Sequence, residues 1–542
     1  MDYATLKLPN LPPPGFSQEM TCPICDGNQF SYLFVIRGLP FARCRGCGLI
    51  ALGTLPNAAD FRDFYKRIPQ EPRAENGHID SYTEQEAAAR YCSALLSRGL
   101  QPGRILVLTG SNPQPASKHL AAALQERAFD VDTLCPCAIP GSQSGPRYVG
   151  AVALHELQAH ENPAALLEQI HAVIEPDAPL LLSVPSVDSW PAKFFGPRWP
   201  EWKPENRYYF DRETIQLLLL RCGFRHNLVL PDRRLYTLEH IHQRASTSPR
   251  TALTRMISLA HHFLPPPMRG IRRRLATSGL VITSVRAETA ARPKCSIIVP
   301  AFNESQSFPI LMDALLKKDL PGVDREILIV ESNSTDGTRE IARQYASHPD
   351  VKLVLEDRPR GKGHAVRTNL ANTTGDIILF QDADLEYDIN DYDALLAPII
   401  ARRALFVLGS RHGGSWKMRK FSDQEGLSAA LNFGHLFFTG LLNILYRQKM
   451  KDPFTMYKVF HRDCLYGLDF ECNRFDFDHE LVIKFVRKGY TPLEIPVNYW
   501  SRSFREGKKV KIIRDPLTWL RIDFKLRFTP VLREITEQHP NA

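Results

Sequence analysis

Between Arg104 and Arg411 the chain repeatedly exchanges short, almost wholly apolar runs for longer stretches whose apolar residues recur every three or four positions. The first period marks buried strands and the second amphipathic helices. In the amino half, a helical stretch "SYTEQEAAARYCSALLSRGL" leads into the strand "RILVL", the helix "SKHLAAALQERAF" and the short strand "DVDTL". The pattern goes on through "VGAVALHEL", the helix "PAALLEQIHAVIE", the strand "PLLLSVP" and the helix "DRETIQLLLLRCGF". A break follows from about Ser246 to Lys294, where "STSPRT" and "LPPPMRGIRRRL" put prolines and arginines ahead of a last apolar run, "GLVITSV". The alternation then restarts at "CSIIVPAFNE" and runs through "EILIVESNSTDGTREIARQY", "VKLVLE", "GKGHAVRTNLANTTGDIILFQDADLE" and "LFVLGSR". Strands alternating with helices predict parallel sheets, so the fold class is α/β with two doubly wound domains. A chain of 542 residues is long enough for two to four cores.

Ligands of such sheets sit beyond the carboxyl ends of the strands, where "PAFNE", "ESNSTDGT", "QDADLE" and "GSR" all fall. In "DIILFQDADLEYD", Asp382, Asp384 and Glu386 follow an apolar strand at every second position. If the extension continues past Phe380, all three acids share one face. That is either a solvated loop or a site for a hard divalent cation, Mg²⁺ or Mn²⁺. "VPAFNE" sets Pro300, the Phe302 ring and Glu304 beside a strand end, a usable edge for a flat base. Glu331 offers an acceptor for ribose or base donors, while Ser334, Thr335 and Asp336 suit a helix cap. "RPRGKGHAVR" groups Arg360, Lys362 and Arg367 around two glycines, which fits either a phosphate or an ordinary charged surface.

Four of the 11 cysteines form two knuckles, "CPIC" (Cys22, Cys25) and "CRGC" (Cys44, Cys47), at the spacing of a four-thiolate zinc ribbon with Gly27 and Gly48 easing the turns. The expected zinc is structural. Cys135 and Cys137 in "LCPCA" lack partners at that spacing and read as packed thiols. The net charge of +9 is a mild excess that suits an anionic substrate or membrane surface, and no motif for reading nucleic acid is present. The amino terminus shows no secretory signal, which predicts a cytoplasmic protein. Gly426 to Tyr446 lacks Asp, Glu, Lys and Arg but holds Asn432, His435, Thr439 and Asn443. Those residues are costly in lipid, so an interfacial or buried helix is expected in preference to a spanning one.

The order of "SIIVPAFNE", "ILIVESNSTDGT", "RGKGHAVRTNL", "ILFQDADLEYD", "VLGSR", "KDPFTMYKVFHR", "FDFDHELVIKFVRKGYTPLEIPVNY" and "SRSFREGKKV", from Cys295 to Phe528, resembles the family 2 glycosyltransferases of GT-A fold. Within that family it resembles the branch typified by dolichyl- and polyprenyl-phosphate sugar synthases. The resemblance implies that Asp382 and Asp384 are a DxD pair holding Mg²⁺ or Mn²⁺ against a nucleotide diphosphate sugar, with Glu386 at a further ligand position. It implies phosphate-holding roles for Arg411 and for Arg502, Arg505, Lys508 and Lys509. A lipid phosphate acceptor needs no general base; a glycan or protein hydroxyl does, and Asp452 or Glu480 are the candidates. The chain departs from many relatives in reading Glu331-Ser332 where they have two acids. A basic loop beside the apolar stretch, in a chain that closes with a basic tail, implies peripheral contact with the inner face of the plasma membrane.

From Met20 to Arg286, "ALHELQAHENPAALLEQIHAVIEPDAPLLLSVPS", "FGPRWPEW" and "YYFDRETIQLLLLRCGF" resemble class I S-adenosylmethionine methyltransferases fronted by a zinc ribbon. The cofactor positions do not follow. The first strand leads into "LVLTGSNPQPASKHL", with Gly110 alone and no acid, and "DVDTLCPC" offers only Asp132, too early in its strand. Loss of methyl transfer is expected. His155 and His160 stand where a substrate-facing residue could be, but suit structural roles equally. The domains expected are a zinc ribbon with its lead-in (1–60), a degenerate Rossmann-like methyltransferase domain (61–290) and a GT-A domain with a basic terminal segment (291–542). The activity expected is inverting transfer of a sugar to polyprenyl phosphate for a surface polysaccharide. Transfer to a hydroxyl, a bifunctional glycosyltransferase and methyltransferase, and a non-enzymatic scaffold are the competing expectations.

Overall fold

The computed structural model describes residues 20–36, 39–53, 77–110, 114–140, 147–203, 205–246, 252–288, 292–412, 425–501 and 514–532. They fall into two compact units, one within Met1–Glu288 and one within Thr289–Arg533.

In the amino unit, β1 (Phe30–Ile36), β2 (Leu39–Cys44) and β3 (Ile50–Leu52) form an antiparallel sheet completed by β8 (Tyr208–Tyr209). Both cysteine knuckles hang from this sheet, and each closes on a backbone bond, Asp26 N–H to Cys22 O and Gly48 N–H to Cys44 O. Gly48 takes the left-handed turn as its sequence position suggests, but in the first knuckle Asp26 does so and not Gly27. Phe41, Trp202 and Tyr209 pack ring on ring over the sheet, so the "FGPRWPEW" segment shares the ribbon's core. Arg221 ties a distant helix to the first knuckle through Ile24 O and the Asp26 carboxylate.

The second sheet of this unit runs in the order β5 (Asp130–Leu134), β4 (Arg104–Leu108), β6 (Gly150–Leu154), β7 (Pro179–Pro185), β10 (Arg273–Arg286), β9 (Phe224–Tyr236). The first four strands are parallel, and β10 lies antiparallel between β7 and β9. Every residue of β6 and β7 is buried, which is why both read as unbroken apolar runs. The stretch "GLVITSV" is therefore no linker. It is the middle of β10, with Leu280, Val281 and Ile282 in the core, and the segment before it carries a helix, Ala252–Phe263, and the first residues of β10 within the same unit.

The carboxyl-terminal unit is built on seven strands in the order β13 (Val351–Leu355), β12 (Asp324–Glu331), β11 (Lys294–Ala301), β14 (Ile377–Phe380), β16 (Lys458–His461), β15 (Phe406–Ser410), β17 (Leu493–Pro496). The first four are parallel, and β16 is antiparallel to both β14 and β15. The carboxyl ends of β11, β12, β14 and β15 therefore share one edge. Three helices, Glu425–Tyr446, Asp476–Lys488 and Arg514–Phe528, pack on one another in this unit.

The first of these helices buries polar residues together with Phe438 and Leu442 on its inner side and leaves large apolar residues outward. Its Asn432, His435 and Thr439 are buried against protein, and Asn443 exchanges hydrogen bonds with both backbone groups of Met450. Its opposite face exposes Phe433 (69%), Leu436, Phe437 and Ile444 (78%). Among the described residues, Ser428–Tyr446 is the one segment long and apolar enough to cross a membrane by length and composition.

The glycines of "RGKG" serve a close backbone approach. Gly361 has φ +107°, and a Cβ at Gly363 would lie 2.5 Å from Arg474 O and 2.6 Å from Phe477 Cβ. Gly363→Ala should cost about 1–3 kcal/mol, as overpacking does. Gly440→Ala, in a helix interior with open space at its Cβ, should instead be neutral or stabilising by up to about 1 kcal/mol. Urea midpoints of the two variants check this pair of signs.

Candidate active site

A cavity of about 1070 Å³ opens where the strand ends of the carboxyl-terminal unit meet its helices. Pro300, Phe302 and Glu304 line it from the end of β11, and Asp382, Asp384 and Glu386 from the end of β14. Arg411 reaches it from the end of β15 and Lys362 from the helix Lys362–Asn369. Residues far apart in the chain thus converge in one space.

The acids arrive there by a turn and not by a continuing pleat. β14 stops at Phe380, Leu385 is left-handed (φ +54°), and the Asp384 carboxylate accepts the Glu386 N–H at 3.1 Å. The turn is anchored beneath by Gln381, which is fully buried; its side-chain carbonyl accepts the hydroxyls of Tyr392 (2.7 Å) and Tyr457 (2.9 Å). Ser307 adds a bond to Ala383 O, joining the first loop to the acidic one.

Asp382, Asp384 and Glu386 differ in their partners. Lys362 Nζ donates to Asp382 at 2.8 Å, and the Tyr499 hydroxyl donates to Glu386 at 2.8 Å. Among the described residues they do not form a ready cluster of three converging ligand oxygens. The donor set still fits a hard cation: two aspartate carboxylates open to one cavity, with a lysine poised to release one of them when a second positive charge arrives. Asp382 and Asp384 would hold such an ion.

Three expectations are corrected by the geometry. Glu331 is fully buried and accepts the Ser334 N–H at 2.6 Å and the Arg339 guanidinium, so it faces inward; Ser332 lines the cavity in its place. Asp336 caps as its sequence position suggests, accepting the Thr338 N–H at the first turn of the helix Thr338–Tyr345, and by also accepting the Ser305 N–H it laces the β11 loop to the β12 loop. Asp452 is fully buried and grips Arg411 through two side-chain bonds of 2.8 Å and the Arg411 N–H at 2.9 Å. Burial alone would raise its pKa, but the charge and bonds of Arg411 outweigh that and hold it well below the carboxylate range. It is a poor proton acceptor near neutral pH. Glu480, also fully buried, accepts the Glu471 and Cys472 N–H groups and Lys484 Nζ, and lies outside the cavity wall. Arg502, Arg505, Lys508 and Lys509 lie outside the described residues.

The helices and the loop that holds Phe454 supply a further wall, to which the sequence assigned no joint role: Leu431, His435, Phe438, Phe454, His479 and Trp519. Phe454, His479 and Trp519 are stacked ring on ring. Their alignment comes from three separate helices and loops, so spacing along the chain gives no signal of it.

In the amino unit the sulfurs of Cys22, Cys25, Cys44 and Cys47 all lie within 4.8 Å of one another. Such a set is compatible with tetrahedral zinc. Cys135 and Cys137 are exposed, not packed, because they sit on a surface turn after β5. The residues that the resemblance would set against S-adenosylmethionine are engaged with other side chains. Gly110 N–H is taken by the Glu156 carboxylate at 2.8 Å, and a side chain at Gly110 would strike that same carboxylate. Asp132 is engaged by Arg104 and by the Tyr148 hydroxyl. Desolvation lowers the His155 pKa to about 4, leaving it neutral near pH 7, and His160 bonds to the backbone of Asn162, which itself caps the next helix.

Truncating one partner of the Arg411–Asp452 pair leaves an uncompensated buried charge, so Arg411→Ala should cost about 3–5 kcal/mol of stability. Because the Asp452 pKa is depressed on folding, its stabilisation is present above about pH 4 and lost as pH falls toward the folded value. Asp452→Asn should flatten that acid-side dependence in urea titrations run from pH 3 to 7.

Residues 296–467 match the family model described as Glycosyl transferase family 2. The Glycosyltransferase AglD of Haloferax volcanii is 25% identical over 257 residues, covering 45% of this chain and 40% of that protein. The Dolichyl-phosphate beta-glucosyltransferase ALG5C of Trichomonas vaginalis is 28% identical over 217 residues, 38% of this chain and 63% of its own length. The Dolichol-phosphate mannosyltransferase of Pyrococcus furiosus is 25% identical over 217 residues, 40% of this chain and 59% of its own. The chain thus spans less than two thirds of the length of each of these relatives. The carboxyl-terminal unit carries a glycosyl transferase family 2 domain.

Proposed function

We propose that this protein is an inverting, metal-dependent glycosyltransferase of GT-A type that moves one sugar from a nucleotide diphosphate donor to a polyprenyl phosphate. The observation that carries the reading is the shared cavity of Asp382, Asp384, Lys362 and Arg411 at one sheet edge, inside the segment that matches family 2. The lipid acceptor rests on the dolichyl-phosphate relatives and on the apolar helices that wall the same cavity.

On this reading Phe302 and Glu304 receive the nucleoside and Lys362 turns from Asp382 toward the diphosphate. A cation held by Asp382 and Asp384 supplies charge neutralisation for the leaving diphosphate. An acceptor phosphate oxygen attacks the anomeric carbon as the bond to the donor phosphate breaks. The electron pair leaves on the nucleoside diphosphate, and the anomeric configuration inverts. A phosphate acceptor is already an anion, which agrees with Asp452 and Glu480 both being committed elsewhere.

The outward apolar face of Glu425–Tyr446, in a sequence that later carries the basic residues Arg502, Lys508 and Lys509, suits a protein that works at the cytoplasmic face of the plasma membrane. The product would feed surface polysaccharide synthesis. For the amino unit we propose a structural zinc on the four cysteines and a methyltransferase-like fold that has lost methyl transfer, since Glu156 fills the place a cofactor would approach.

Asp384→Ala should lower Mn²⁺-dependent consumption of the nucleotide sugar on the order of 10²- to 10³-fold, as loss of an electrostatic transition-state contact does; an unchanged rate would sink the site assignment. Metal analysis of the purified protein should find about one zinc per chain, and Cys22→Ser should release it with a lower Tm. A stable wild type free of zinc would rule the ribbon site out.

A further inference from the structure

His479 is the centre of the three-ring stack. Its ring lies 4.2 Å from Phe454 at 21° and 5.2 Å from Trp519 at 18°, and Phe438 meets both His479 and Trp519 edge-on. Nδ1 is bonded to Asp523 Oδ1 at 2.8 Å. Asp523 is fully buried, and its second carboxylate oxygen has no hydrogen-bond partner. The other ring nitrogen, Nε2, has no partner among the described residues. It is not among the enclosed orphan atoms either, although His479 lines the cavity. That nitrogen therefore opens into the cavity.

The charges around it decide what it does. A carboxylate with one bare oxygen in the protein interior needs a compensating positive charge close by. The imidazole on Asp523 supplies that charge when both ring nitrogens carry protons, and the two flanking ring faces favour a cation between them. Four other cations of the cavity are held by acids, Lys362 by Asp382, Arg411 by Asp452, Arg474 by Asp515 and Arg360 by Asp357, while Arg514 also lines it and adds positive charge on the side of the helix Arg514–Phe528. An N–H at Nε2, set in a wall of Phe438, Phe454 and Trp519, is a donor for an anionic group attached to an apolar chain.

We propose that His479, positioned by Asp523, holds the phosphate of the acceptor through Nε2. This deepens the lipid-phosphate reading above and rests on it. The group recognised is a phosphate monoester on a hydrocarbon chain.

The test uses the full chain with its nucleotide sugar, Mn²⁺ and polyprenyl phosphate in detergent. His479→Phe keeps the ring stack and removes the donor. It should raise KM for the lipid phosphate about 10- to 100-fold, the scale of a hydrogen bond to a charged group, with the Kd of the nucleotide donor unchanged. His479→Gln, which restores a neutral donor, should recover part of the loss, and Asp523→Asn should raise the same KM. An unchanged KM in His479→Phe overturns the assignment, as does a parallel loss of donor affinity. A fall in kcat alone, with a new basic limb in the pH profile, overturns it in favour of a proton acceptor for a hydroxyl. A wild type that transfers no sugar to the lipid shows that the acceptor reading itself has failed, before any variant is compared.

Discussion

The donor side of the cavity depends on the buried bond pattern between Arg411 and Asp452. Arg411 ends β15 with its guanidinium and its backbone N–H both fixed on one carboxylate, and its charge lies over the Tyr499 ring at 5.2 Å. Tyr499 in turn holds Glu386, the last acid of the turn after β14. Asp452 takes its own backbone bond to Glu494, which comes from the edge strand β17. One ion pair thus connects three strand ends, so a side chain that looks like a phosphate ligand is also a structural rivet. Both roles are compatible, because a guanidinium has five donors and the carboxylate occupies two of them.

The apolar helix Glu425–Tyr446 shows the same economy from the other direction. Its polar residues satisfy one another and the protein, as with Asn443 and Met450, and its hydrocarbon face is left outward beside the cavity. In a protein that takes a lipid phosphate, one helix would then supply both part of the cavity wall and an outward apolar surface for the acceptor's chain.

Much of this was legible in the sequence, and the reasons for what was not are physical. Buried parallel strands such as β6 and β7 announce themselves as apolar runs, and motifs at strand ends fall together because the sheet is parallel. The cysteine knuckles were readable from spacing alone. What spacing does not carry is the direction a buried acid faces. Glu331, Asp452 and Glu480 look like ligands or bases in one dimension, and each turns inward to a partner brought by another element. β10 was misread because an antiparallel strand arriving last in sequence can lie in the middle of a sheet. The His479 stack was invisible for the same reason: its members come from positions 454, 479, 519 and 523, which no local period connects.

The central claim is that sugar passes from a nucleotide diphosphate to a lipid phosphate. The most direct measurement is a two-phase assay across uridine, guanosine and thymidine diphosphate sugars with Mn²⁺ and polyprenyl phosphate, following labelled sugar into the organic phase. The account predicts one donor whose label becomes lipid-extractable in step with nucleoside diphosphate release. Donor breakdown with no label entering the lipid, or no donor used at all, would contradict it.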